Sequence, residues 1–250
     1  VTADFSPTTN HAQTPIIVLF HQANWSRGEY REIAPRLQDL GFQALAVDQR
    51  SGNAVNGVTN HTAQQAKADG LGTSFIDALP VMRATLRHAR SLTSGPILSW
   101  GSSYSSALIL KVAADDPGQA DGVLSFSPSE YFPYRQLIQK AVINLTVPTF
   151  ITSARSEANN YAAIVSNVPP ETPLTTFRPS TVGRHGSSTL WATTTDNKTT
   201  WREVEAFLAP FLEISAAPAE IRVTSTELSV NPGDSLQLLE RSNDLATWRG

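Results

Sequence analysis

The chain has 250 residues, 40% of them hydrophobic, enough to bury one large core within a single main domain. Its formal net charge of −3 offers no broad cationic face to nucleic acid or anionic lipid, and the absence of cysteine excludes disulfides, thiolate nucleophiles and cysteine-ligated metal. No apolar run approaches the roughly 20 residues needed to cross a bilayer.

In chain order, residues 1–14 are polar, with no periodic apolar face, and read as a surface tail. Ile16 to Phe20 and Phe42 to Val47 are short continuous apolar runs, the pattern of strands buried on both faces of a parallel sheet. Between them, Tyr30, Ile33, Ala34, Leu37 and Leu40 recur at helical spacing, and Gly41 supplies the stop. The alternation continues. A helix is predicted near 74–89, a strand at Ile97 to Trp100, a helix after Ser103, and a strand at Val123 to Phe126. A helix near 134–142, a strand at Thr149 to Thr152 and a closing helix over 199–212 complete it. Such alternation predicts an α/β fold, a mostly parallel sheet with helices on both faces, over residues 15–214. Residues 215–250 read as a linker followed by a β-hairpin around Asn231-Pro232-Gly233-Asp234, which docks on the main domain or starts a longer module.

In an open parallel sheet the ligand sits beyond the carboxyl ends of the strands, which directs attention to the loops beginning at His21, Ser103, Ser127 and Ser153. Gly101-Ser102-Ser103-Tyr104-Ser105 joins a predicted strand directly to a predicted helix, the setting of a nucleophile elbow with Ser103 at its tip. A serine hydroxyl needs a histidine to take its proton and a carboxylate to orient that histidine. Of the five histidines, His11 falls in the tail, His61 in a polar loop, His88 on a helix end and His21 too early in the expected order of serine, acid, histidine. His185, between glycines and just before the closing helix, is the base. Glu157, five residues after Thr152, is favoured as the acid, and Glu130 is the alternative. Oxyanion donors are expected at the backbone of Tyr104 and of Gln22 or Ala23. Trp25, Tyr131, Phe132 and Trp191 lie on or near the same loops and are expected to wall the substrate pocket.

As a set, these residues resemble the α/β-hydrolase superfamily, especially its dienelactone-hydrolase-like and small carboxylesterase branch. The similarity spans about residues 15 to 212. Leu19-Phe20-His21-Gln22 is similar to the branch's oxyanion strand, and Gly41-Phe42 with Asp48-Gln49-Arg50-Ser51-Gly52 to its G-[FY]…D-x-R-x-G stretch. The resemblance implies an α/β-hydrolase fold and a serine esterase. Serine replaces the cysteine nucleophile of dienelactone hydrolases proper, Ser105 replaces the final elbow glycine, and Glu157 replaces the commoner aspartate. Too few residues separate Phe126 from Thr149 for a large lid, so small soluble esters are the expected substrates, with no cofactor and no metal. An amide or peptide bond would use the same triad, and a non-catalytic binding or adhesion module is the reading from another class. Only 16% of residues are charged while Ser and Thr are plentiful, which is the balance of exported bacterial enzymes. The expectation is export with a leader removed before Val1, or else a cytoplasmic protein.

Overall fold

The computed structural model describes residues 1–8 and 12–216; the hairpin expected within 215–250 lies outside the described residues. One seven-stranded sheet organises the chain. Its strands are β1 (Ala3–Ser6), β2 (Ile16–Phe20), β3 (Gln43–Val47), β6 (Ile97–Ser102), β7 (Gly122–Phe126), β8 (Thr149–Thr152) and β9 (Leu174–Phe177), in spatial order β1-β3-β2-β6-β7-β8-β9. Every neighbouring pair is parallel except β1 with β3. A short hairpin of β4 (Ala54–Val55) and β5 (Val58–Thr59) stands apart.

The continuous apolar runs do what their pattern requires. Along β2, Ile16, Val18 and Phe20 enter one core with helices α3 (Leu79–Leu92), α4 (Tyr104–Asp115) and α5 (Leu137–Ala141). Ile17 and Leu19 enter a second core with α1 (Ile33–Asp39) and α7 (Asn197–Ala216). A period of two thus splits one strand between two buried layers, so helices cover both faces. Two further α-helices, α2 (His61–Ala68) and α6 (Ala162–Val165), and five short 3-10 turns complete the described residues.

Two expectations need correction, and one strand was not anticipated. Residues 1–14 are not simply a tail, because Ala3–Ser6 forms β1 along the edge of β3. An edge strand gains its stability from backbone hydrogen bonds and needs no apolar period. His61 lies not in a loop but at the start of α2, whose cap is the Asn60 side chain accepting from Ala63 N–H. The edge strand β9 carries Thr175 and Thr176 exposed between two half-buried apolar residues, too short and polar a pattern to announce itself.

Candidate active site

The loops after β2, β6, β7, β8 and β9 gather at the carboxyl edge of the sheet, and each brings one part of the site. At the end of β6, a Cβ on Gly101 would stand 2.6 Å from the Ser106 backbone, so only glycine lets α4 start this close to its strand. The chain turns at Ser103, which adopts φ 58° and ψ −124°. A non-glycine residue held there stores about 1–3 kcal/mol of strain, which the surrounding packing must sustain. The side chain is held at the tip, 5% exposed, beside the Tyr131 phenol.

Ser105, the departure from a glycine-ended elbow, has its own use. Its fully buried hydroxyl donates to the His21 carbonyl at 2.5 Å and accepts from Gln49 Nε2 at 2.8 Å, tying the elbow to the loops after β2 and β3. Ser105→Gly removes these bonds and leaves the Gln49 amide short of a partner. Thermal or denaturant unfolding should register a loss of about 1–3 kcal/mol. A glycine variant as stable as the parent would mean that this hydroxyl is dispensable.

The loop after β2 is set by two buried side chains. His21 is fully buried, and burial drives its imidazole down to about 4, so it is neutral at ordinary pH. Its Nε2 accepts from Gln49 N–H at 3.1 Å, which leaves Nδ1–H to donate to Gln22 O at 2.8 Å. Gln22 N–H donates to Glu29 Oε2 at 2.8 Å. Of the two expected oxyanion donors, Gln22 is therefore already engaged. In a trans peptide the Ala23 N–H points opposite to the Gln22 carbonyl, and it meets no acceptor among the described residues. Below this loop, Asp48 accepts from Arg27 N–H and Nη1 and from His61 N–H at 2.7–3.0 Å, so the D-x-R-x-G stretch anchors the loop rather than a ligand.

The residues expected as acid and base meet. His185 Nδ1 and Glu157 Oε1 are 2.7 Å apart, with the pair partly open to solvent. Burial would raise the Glu157 carboxyl, but hydrogen bonds from His185 and Ser127 prevail and hold it below the usual carboxylate range. Ser127, itself at φ 59°, donates to Glu157 Oε2 at 2.8 Å and accepts from Gly186 N–H at 2.9 Å. The next residue, Ser187, donates its N–H to Ser102 Oγ at 2.8 Å, which fastens the histidine loop to the neighbour of Ser103. No side chain is possible at Gly186, because a Cβ there would collide with Ser102 Oγ. The Ser103 hydroxyl makes no hydrogen bond to the His185 ring. Glu130 is occupied elsewhere: its carboxylate accepts from Ile138 and Gln139 N–H at the start of α5.

Among the aromatic residues expected to wall a pocket, Trp25 and Trp191 stack at 5.2 Å and 9° between the loops that carry Ala23 and His185. Tyr131 donates to Ser127 O at 2.6 Å, and burial pushes its phenol up to about 12. Phe132 departs from expectation, packing into the core with Ile138. An open cavity of about 500 Å³ beside the histidine loop is lined by Arg155, Val182, Arg184 and Thr193, and by none of the four aromatic residues. Sequence reasoning missed Ser127, Ser102 and Glu29. Only the position of Ser127 directly after a strand marked it out.

No family model matches the sequence, and no curated protein matches it. Solved structures do. Est1E from Butyrivibrio proteoclasticus, solved with ferulic acid bound, superposes with a TM-score of 0.62 at 13% identity, covering 85% of this chain and 95% of that one. Dienelactone hydrolase from Anabaena variabilis gives 0.60 at 16% identity, with 84% and 91% covered. The monoacylglycerol lipase of Paleococcus ferrophilus gives 0.59 at 12% identity, with 84% and 98% covered. With its strand order, its elbow after β6 and these neighbours, the chain has the α/β-hydrolase fold.

Proposed function

We propose that the protein is a serine hydrolase that cleaves carboxylic esters of small soluble substrates through an acyl-enzyme. The observation that carries this reading is the 2.7 Å pairing of His185 with Glu157 on a loop fastened beside the strained Ser103 turn. Backbone strain of this kind concentrates where a reactive group must be presented. The esterases and lipases among the structural neighbours support the same class of chemistry.

Ser103 Oγ attacks the ester carbonyl carbon while His185 Nε2 takes its proton. The structure holds no hydrogen bond between the two groups, and such bonds commonly tighten only in the reactive complex. Glu157 keeps the proton on Nδ1, so that Nε2 presents a lone pair, and then stabilises the imidazolium. The negative oxygen of the tetrahedral intermediate is received by the N–H groups of Tyr104 and Ala23. The former opens the twelve-residue helix α4, whose dipole adds to the effect. Collapse breaks the bond to the alkoxy oxygen, which leaves with the proton from His185. Water, deprotonated by the same ring, then attacks the acyl group, and collapse returns the acid and free Ser103. Between β7 and β8 only α5 and short turns intervene, with no inserted lid, which favours soluble esters over an aggregated lipid phase.

Incubation with a fluorophosphonate followed by peptide mass mapping should show one adduct per chain, on Ser103, with matching loss of p-nitrophenyl acetate hydrolysis. An adduct on another residue, or none, would overturn the assignment.

A further inference from the structure

We propose that Glu29 is a positioning residue, a buried carboxylate that holds the oxyanion loop, the nucleophile strand and the histidine loop in one register. The inference rests on the ester-hydrolase reading above. Glu29 lies within the turn over Arg27–Tyr30 and is fully buried. Its two oxygens go to two different parts of the site: Oε2 accepts from Gln22 N–H at 2.8 Å, and Oε1 accepts from Ser102 Oγ at 2.7 Å. Through Ser102 Oγ the connection continues to Ser187 N–H, two residues beyond His185. Its backbone carbonyl also accepts from Trp191 Nε1 at 2.9 Å, so the tryptophan pair leans on the same residue.

A buried carboxylate without a cationic partner is costly, and an ordinary structural role could be filled by a neutral side chain. Two convergent donors explain the acid. Gln22 N–H and Ser102 O–H each require an acceptor, and an amide supplies only one oxygen where the carboxylate supplies two. The second gain is electrostatic. The charge acts on the His185 ring, so the imidazolium formed in each turnover meets a negative group besides Glu157. Gln22 N–H held by Glu29 and Gln22 O held by His21 fix two consecutive peptide planes, the second of which aims Ala23 N–H.

The titratable groups facing Glu29 are His185 and the phenols of Tyr30 and Tyr104, both raised further by its charge. Burial pushes the Glu29 carboxyl up to about 7, against hydrogen bonds from Ser102 and Gln22 and the nearby His185. The clamp is thus fully charged only above neutrality. As pH falls through 7, one acceptor and the charge are lost, adding a limb to turnover. The folding linkage has the opposite sign. A carboxyl raised in the fold weighs against the native state as pH rises from its unfolded value to about 7, and not below.

The test compares wild type, Glu29→Gln and Ser102→Ala on p-nitrophenyl acetate, with near-ultraviolet circular dichroism to establish native packing. Glu29→Gln should lower kcat about 10- to 100-fold, the loss of one or two charge-assisted hydrogen bonds, while KM moves less than about threefold. Its acidic limb should shift down by about half a pH unit or more, because the titrating neighbour is gone. Ser102→Ala, which cuts the same link from the other side, should show the same split between kcat and KM. A folded Glu29→Gln with kcat within about twofold and an unmoved limb would overturn the proposal while leaving the hydrolase reading intact. A wild type inactive on an ester panel would overturn both. The thermal midpoint still reads the buried titration: relative to Glu29→Gln, wild type should lose stability from about pH 4.5 to about pH 7 and hold level above that. No difference would remove the charged clamp.

Discussion

Replacing Ser103 by alanine is expected to lower ester turnover by about 10⁴- to 10⁶-fold, with KM little changed, because the proposed nucleophile is gone. What remains is expected to come from the proposed oxyanion donors, Tyr104 and Ala23 N–H, which would still polarise a bound carbonyl for attack by water. The backbone makes a second, opposite expectation available. Ser103 sits at φ 58°, where alanine is as strained as serine but glycine is not. Ser103→Gly should be equally inactive yet more stable than wild type by about 1 kcal/mol or more, read as a higher thermal midpoint. Full ester hydrolysis by either variant would end the covalent mechanism. A Ser103→Gly protein less stable than wild type would mean that the turn is not held under tension.

Glu157→Ala should cost about 10⁴-fold in kcat, the scale found when a triad loses its acid. Two effects combine: the His185 ring loses the partner 2.7 Å away that keeps the proton on Nδ1, and the imidazolium loses its nearest counter-charge. Because the Glu157 carboxyl is held below its ordinary value, its pairing is intact above the usual carboxylate range. It is lost only as pH falls through that depressed value. Glu130→Ala is the control. Its carboxylate caps α5 through Ile138 and Gln139 N–H, so this variant should lose about 0.5–2 kcal/mol of stability and keep turnover within a few-fold. Kinetics on the two variants side by side would separate the acids. Equal activity for Glu157→Ala and wild type would remove Glu157 from the site.

Much of this arrangement was legible in the sequence wherever local chemistry governs. The continuous apolar runs from Ile16 and from Phe42 gave parallel strands because burial on both faces leaves no polar phase to alternate with. Glu157 and His185 could be paired because one followed a strand and the other lay between glycines. Contacts between distant segments were not legible. Glu29 looked like one more acid on a helical stretch, and nothing local announces that its oxygens reach residues 22 and 102. The register of the oxyanion loop stayed open for the same reason: the choice between Gln22 and Ala23 turns on that acid. Ser105 looked like a defect in a motif until its hydroxyl was seen bridging His21 and Gln49. Strand β1 was invisible because an edge strand is held by peptide groups that every sequence shares.

That edge strand has a practical side. The first six residues cap the outer rim of β3, and Asp4 adds an ion pair to Arg27, which in turn grips Asp48 beneath the loop after β2. A version of the protein trimmed back to Pro15, on the view that its opening residues are dispensable, would bare a row of unsatisfied peptide groups ready to recruit a neighbouring copy. The same cut would loosen, from behind, a support of the sheet edge that carries the proposed site.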